Sequence, residues 1–189
     1  MRLILASASP RRAELLHQIG VEFDTKSVDI DETPLNGELA YDYVKRLALE
    51  KARTGQEFYP QSGVLVLGSD TAVVLDGEIL GKPDNKEHAL TMLRKLSGKC
   101  HKVLTSVAII GQHERCIVSE SEVTFTNISE QELEWYWATG EPKDKAGAYA
   151  IQGNAAVFIS RLEGSFSGVM GLPLYETRQL LQQHGFLEF

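Results

Sequence analysis

An α/β fold is what this sequence predicts, and three observations carry the prediction. Apolar runs of strand length, such as Leu3-Ile4-Leu5-Ala6 and Val64-Leu65-Val66-Leu67, alternate with longer stretches of helical periodicity. Glycines and the Asp76-Gly77 pair fall between them, where a chain must turn. The 189 residues, 43% of them hydrophobic, suffice for one core or one core split into two lobes, with no repeat, low-complexity tract or long linker.

Taken in order, residues 2–6 read as a buried strand. Ser9 then caps a helix with Pro10 at its first position and Gly20 just past its end. Residues 38–53 form an amphipathic helix, and residues 64–67 a central strand. Ala72 to Leu80 reads as a hairpin turning at Asp76-Gly77, and a helix over 86–97 stops at Gly98. Strands are predicted near 102–110 and 116–126. Ser129 and Glu132 form a capping box for a helix carrying Leu133, Trp135, Tyr136 and Trp137. Packing of that helix on the core is the expected use of its aromatics, with a dimer surface as the alternative. A loop over 140–154, a strand at 155–161 and a helix from Pro173 to His184 complete the chain.

Composition excludes several classes of function. The net charge of −7 argues against a protein that coats nucleic acid, although a small polyanion needs only a local basic cluster. No apolar run approaches the roughly 20 residues of a membrane span, and the N-terminus lacks a signal-peptide pattern, so a cytoplasmic protein is expected. Cys100 and Cys116 match no zinc or redox spacing, and the five histidines have no metal-ligand spacing.

Two local features break ordinary rules, and a third lies where ligands bind. Arg11 and Arg12 occupy the first turn of a helix, the end that already carries partial positive charge. An anion there would gather both guanidinium groups, the hydroxyls of Ser7 and Ser9 and the free backbone N–H groups; the alternative is that the arginines face solvent and pair with Glu14. Lys51 lies on the apolar stripe of Ala40, Val44, Leu47 and Ala48, so it points inward and needs an anionic partner unless it snorkels at the helix end. Asp70 follows the 64–67 strand, where α/β folds place ligands; it can hold a hard cation or accept a proton from water, or merely form a turn. Glu32, in the acid-rich run 28–32, is a second candidate, with an exposed acidic loop as the alternative. Gly81-Lys82-Pro83 presents Lys82 on a stiff loop, and no Walker-type phosphate loop exists.

These segments together resemble the Maf family of nucleotide pyrophosphatases. The resemblance rests on Ser7-Ala8-Ser9-Pro10-Arg11-Arg12, Asp31-Glu32, Ala48-Leu49-Glu50-Lys51-Ala52, Gly68-Ser69-Asp70-Thr71, Gly81-Lys82-Pro83, Asp144-Lys145-Ala146-Gly147-Ala148-Tyr149 and Gly171-Leu172-Pro173, in that order over nearly the whole chain. It implies one Maf-type domain over 1–189. The fold would be related to the inosine triphosphate pyrophosphatases: an elongated, curved mixed sheet flanked by helices, with two lobes and a central cleft. It implies Asp70 as the catalytic proton acceptor, with Glu32 and Asp70 holding Mg²⁺ or Mn²⁺. Ser7, Arg11, Arg12, Lys51 and Lys82 would bind phosphate. The run from Lys145 to Gly153 resembles the branch acting on dTTP and UTP, with Arg11, Thr71 and Gln152 tied to substrate choice. An amide such as Gln152 donates and accepts at once, matching the O4 and N3–H edge of thymine or uracil. The partner is then a nucleoside triphosphate, without nucleic acid or membrane, and a homodimer is expected. Two alternatives stay open: a 7-methyl-GTP pyrophosphatase, and a nucleotide-binding regulator of cell division and septum formation.

Overall fold

The computed structural model describes residues 1–61 and 63–187. Thirteen helices and strands are defined there. They are β1 (Arg2–Leu5), α1 (Pro10–Gln18), β2 (Asp24–Thr25), α2 (Ala40–Glu57), β3 (Val64–Leu75), β4 (Glu78–Leu80) and α3 (Lys86–Leu96), followed by β5 (Cys100–Ile110), β6 (Glu114–Phe125), α4 (Glu130–Ala138), β7 (Ile159–Glu163), α5 (Phe166–Met170) and α6 (Leu174–Gln183). The strands form one mixed sheet in the order β2-β1-β3-β5-β6-β7, with β4 paired to β3. β1 runs parallel to both β2 and β3, placing Leu5 beside Leu67, whereas β3–β4 and β6–β7 are antiparallel. No helix among the described residues is long and apolar enough to cross a membrane.

The chain divides into two compact units. The first comprises Met1–Asp70, Thr105–Ser119 and Gly171–Phe189; the second comprises Thr71–Leu104 and Glu120–Met170. Their boundary falls inside β3, between Asp70 and Thr71.

In the first unit, small residues on α2 bring the helix unusually close to the sheet. Ala48, Ala52, Val66 and Ile4 share one buried cluster. A Cβ on Gly68 would collide with the Ala48 carbonyl oxygen and lie 2.7 Å from the Ala52 amide nitrogen. Only glycine permits this approach, and the approach sets how far a side chain from α2 must reach to touch β3.

In the second unit, α3 and α4 cover their own core, which includes Val73, Leu90, Leu93, Phe125, Tyr136, Tyr149 and Phe158. The α4 capping box forms as the sequence requires: Ser129 Oγ accepts the Glu132 amide at 3.3 Å, and Glu132 accepts the Ser129 amide at 2.7 Å. Tyr136 is fully buried, Trp137 packs against the core, and Trp135 is about half exposed.

Several expected boundaries move. The central strand does not stop at Leu67 but runs on to Leu75, because Gly68 packs against α2 and Ala72-Val73-Val74-Leu75 is itself good strand sequence. Asp70 therefore lies within a strand and not beyond its end. The strand expected at 155–161 begins instead as a 3₁₀ turn, Asn154–Phe158, before β7. Glu141 explains this, since its carboxylate collects the amides of Asn154 and Ala155 at 2.7 and 3.2 Å and winds the segment locally. The short α5 lies in a segment that carried no helical expectation.

Candidate active site

A cluster of buried and half-buried charges gathers in the first unit, supplied by β1's end, α1, the 31–39 loop, α2 and β3. Lys51 is buried on α2, as its position on the apolar stripe requires. Its ammonium lies 2.7 Å from Asp70 Oδ1 and 2.6 Å from Glu32 Oε1, bridging the two acids. Lys51 and Asp70 are each less than one-tenth exposed, while the Glu32 side chain keeps 45% of its surface accessible. The bridge thus runs from the sheet interior to an open edge.

Burial drives the Asp70 carboxyl pKa upward, and Glu32 adds to the shift; Lys51 and Arg12 oppose it without reversing it. Burial likewise pulls the Arg12 guanidinium downward, with Arg11 adding and Asp70 and Glu32 opposing. Arg12 is anchored where its sequence position predicted an anion site. Its Nε donates to the Gly171 carbonyl at 2.8 Å and its Nη1 to Ser7 Oγ at 3.2 Å. Ser69, on β3, donates to the same Gly171 carbonyl at 3.0 Å. Gly171 has φ of 122°, so the tight backbone that offers this carbonyl belongs to glycine.

The helix start differs in one respect from its expected form. Ser9 occupies the cap position of α1, but its side chain makes no capping bond. Ser7 instead accepts the Ser9 amide at 3.1 Å. The loop folds back on Ser7, which therefore holds both the helix entrance and Arg12. Burial pulls the Arg11 guanidinium below its usual range, with Glu14 opposing.

Glu32 is held by residues the sequence reading did not single out. Tyr43 donates its hydroxyl to the Glu32 carbonyl at 3.0 Å. Arg46 grips Glu38 through Nε–Oε1 and Nη2–Oε2 contacts of 2.6 and 2.8 Å and also reaches the Thr33 carbonyl at 3.2 Å. This paired geometry, with the Leu35 amide donating to Glu38, drives the Glu38 carboxyl down to about 2. The signal was present as the spacing of 43, 46 and 50 on one face of α2, but nothing in a linear pattern says that a loop lies over that face.

The remaining candidates belong to the second unit. Thr71 follows Asp70 directly along β3. Lys82 is exposed, and its Gly81-Lys82-Pro83 loop is tied to the next one by a Gly147 N–H donating to the Gly81 carbonyl at 3.0 Å. Gln152 is exposed on a loop whose neighbours Tyr149, Ala150 and Ile151 are buried. Tyr136 accepts the Ala150 amide at 3.2 Å and donates to Glu141 at 2.8 Å. Glu141 in turn holds Asn154, so the loop carrying Gln152 is fixed on both sides.

Among the described residues no group of three or more His, Cys, Asp or Glu side chains gathers as a metal site would require. Glu32 and Asp70 nonetheless fit a hard divalent cation in kind: two carboxylates converge on one point already held by a cation. The other oxygens would have to come from a ligand and water.

A mixed α/β sheet with a buried, counter-charged carboxylate facing an arginine-bearing helix start defines a class of protein suited to a phosphorylated ligand. The solved Ham1 protein of Staphylococcus aureus shares the fold, with a TM-score of 0.57 at 12% identity over 97% of this chain and all of that one (100%). The chain belongs to the family described as Maf-like protein, whose model matches residues 2–184. A dTTP/UTP pyrophosphatase of Colwellia psychrerythraea is 51% identical over 98% of this chain and 90% of that protein. One from Alkalilimnicola ehrlichii is 53% identical over 96% of this chain and 92% of that protein.

Proposed function

We propose that this protein is a nucleoside triphosphate pyrophosphatase acting on dTTP and UTP, releasing the monophosphate and pyrophosphate. The observation that carries the reading is the Lys51 ammonium seated between Asp70 and Glu32 beside Arg12. Relatives about half identical along nearly the whole chain, named for this activity, support the choice of substrate.

Asp70 accepts the proton of the attacking water as the anhydride between the α- and β-phosphates breaks. Water gives its oxygen to the monophosphate, and pyrophosphate leaves. Arg12 and Lys51, with Arg11 and Lys82, neutralise charge growing on the phosphate oxygens. Ser7 keeps Arg12 in place. Glu32 and Asp70 would hold Mg²⁺ or Mn²⁺, which when bound polarises phosphate oxygens and lowers the pKa of water. Gln152 reads the pyrimidine edge, aided by Arg11 and Thr71 in substrate choice. The family resemblance supports two further proposals, a homodimer and a cytoplasmic location; sedimentation and cell fractionation test them.

The test is a panel of dTTP, UTP and 7-methyl-GTP with Mg²⁺, Mn²⁺ or chelator, reading pyrophosphate separately from orthophosphate. Metal-dependent pyrophosphate release from dTTP and UTP is expected. Preferential turnover of 7-methyl-GTP, or nucleotide binding without turnover, overturns the reading.

A further inference from the structure

Helix α2 holds Glu32 by two separate means. Tyr43 fastens its backbone at 3.0 Å, and Arg46 fastens its loop through Glu38 and the Thr33 carbonyl. The Glu32 side chain is held by Lys51 alone of these three, at 2.6 Å, through the ammonium that also touches Asp70 at 2.7 Å. Presenting Glu32 is thus the work of Tyr43 and Arg46, on their own contacts. What Lys51 adds is one positive charge shared by two carboxylates, one of them buried in the sheet, where an uncompensated charge is costly.

We propose that Lys51 is an internal counter-ion occupying the divalent-cation position of the free protein, so that bare metal binds weakly and enters only together with nucleotide. The inference rests on Glu32 and Asp70 being the cation ligands. A triphosphate brings the negative charge to which the Lys51 ammonium transfers, which frees both carboxylates. The long, flexible lysine stem allows its head to move without α2 moving. Charge stays balanced in both states, and the affinities for metal and nucleotide become coupled, each raising the other.

The measurement is Mn²⁺ binding to the nucleotide-free protein, followed by the paramagnetic resonance signal of free Mn²⁺. Lys51→Met is expected to bind Mn²⁺ about tenfold or more tightly than the wild type, because the two carboxylates then face the metal without the ammonium that bridges them, while Arg12 stays nearby in both proteins. Lys51→Arg, which keeps the charge, should bind no better than the wild type. Adding Glu32→Gln to Lys51→Met should remove the gain. Lys51→Met binding no more tightly than the wild type overturns the proposal. Should that happen while Glu32→Gln still weakens Mn²⁺ uptake with nucleotide present, the ligand assignment stands and only the counter-ion role fails. If Glu32→Gln changes Mn²⁺ uptake under neither condition, the ligand assignment fails, and the proposal with it.

Because Lys51→Met leaves two facing acids and risks misfolding, a second readout uses the unaltered chain with ¹⁵N-labelled lysine. The Lys51 ammonium resonance should shift when Mg²⁺ and a non-hydrolysable α,β-methylene triphosphate are added together, and stay in place with Mg²⁺ alone. A resonance that ignores the nucleotide complex overturns the proposal independently of any substitution.

Discussion

Two loops of this molecule carry exposed functional candidates, and they are held by opposite means. In the first unit the loop bearing Glu32 is gripped by charge, with Arg46 on Glu38 and Lys51 on Glu32 itself. In the second unit the loop bearing Gln152 is held by largely neutral donors, with Tyr136 and the amides of Asn154 and Ala155 converging on the single carboxylate of Glu141. The buried polar pairs differ likewise. Lys51–Asp70 is ionic, whereas His101 and Tyr149 meet at 2.8 Å among aromatic rings, with Phe125 packed edge-on to both. Burial lowers the His101 pKa to about 4, so this pair is neutral near pH 7. The contrast is between a buried ion pair in the first unit and a buried neutral pair in the second. Where the Gln152 loop is held, one partly buried carboxylate, Glu141, offsets its desolvation with hydrogen bonds from a hydroxyl and two amides.

The largest effect should come from the ionic side. Asp70→Asn should lower kcat by about 10²–10⁴-fold while nucleotide binding persists, measured by pyrophosphate release and by calorimetry. Near-normal turnover would break the assignment of the proton acceptor and, with it, the functional half of the comparison.

Next comes the neutral pair. His101 has its folded pKa depressed from 6.5 to about 4, so the unfolded chain takes up the proton first as pH falls. Stability from this group is complete above pH 6.5 and is lost as pH drops through the window down to about 4, by roughly 3 kcal/mol in all. Urea unfolding of wild type and His101→Gln at pH 7, 5.5 and 4.5 isolates the effect, because other titrating groups are shared. Equal pH slopes for the two proteins would show that the pair is not neutral by design of its surroundings.

Glu141→Ala sharpens the comparison of loops. It leaves the buried Tyr136 hydroxyl and two amides without their acceptor, so a loss of about 2–3 kcal/mol is expected in chemical denaturation. Discrimination between UTP and 7-methyl-GTP should relax in the same variant, since the loop bearing Gln152 is released.

The smallest effect is predicted for Arg46→Gln. Its largely buried pair with Glu38 fastens one loop, and a Tm change of about 2–4 °C is expected. The kcat/KM should nonetheless fall about tenfold, because Glu32 is less well placed. A large Tm loss with unchanged kinetics would make Arg46 a stabilising residue only.

Much of the candidate site was readable from linear pattern because its residues violate local rules. Arg12 sits at the wrong end of a helix, and Lys51 on the wrong face of one; each violation names a missing anion. The supporting residues violate nothing. Tyr43, Arg46 and Glu38 are ordinary surface choices for a helix and a loop, and Gly171 is an ordinary turn. Their importance lies in contacts spanning 8 to 159 positions of sequence, which no local window contains.

The sequence by itself determined the succession of the longer strands and helices, though not the short β2 and α5, together with the capping of α4, the hairpin at Asp76-Gly77 and the inward face of Lys51. Those follow from periodicity and backbone preferences that act within a few residues. Only the tertiary structure decided that β3 continues through Asp70 to Leu75, that Ser7 and not Ser9 supplies the hydroxyl at the helix entrance, and that one ammonium serves both Glu32 and Asp70. The reason is distance in the chain: where α2 comes to rest on Gly68 depends on packing between segments that meet only after folding, and that contact brings Lys51 to its two acids.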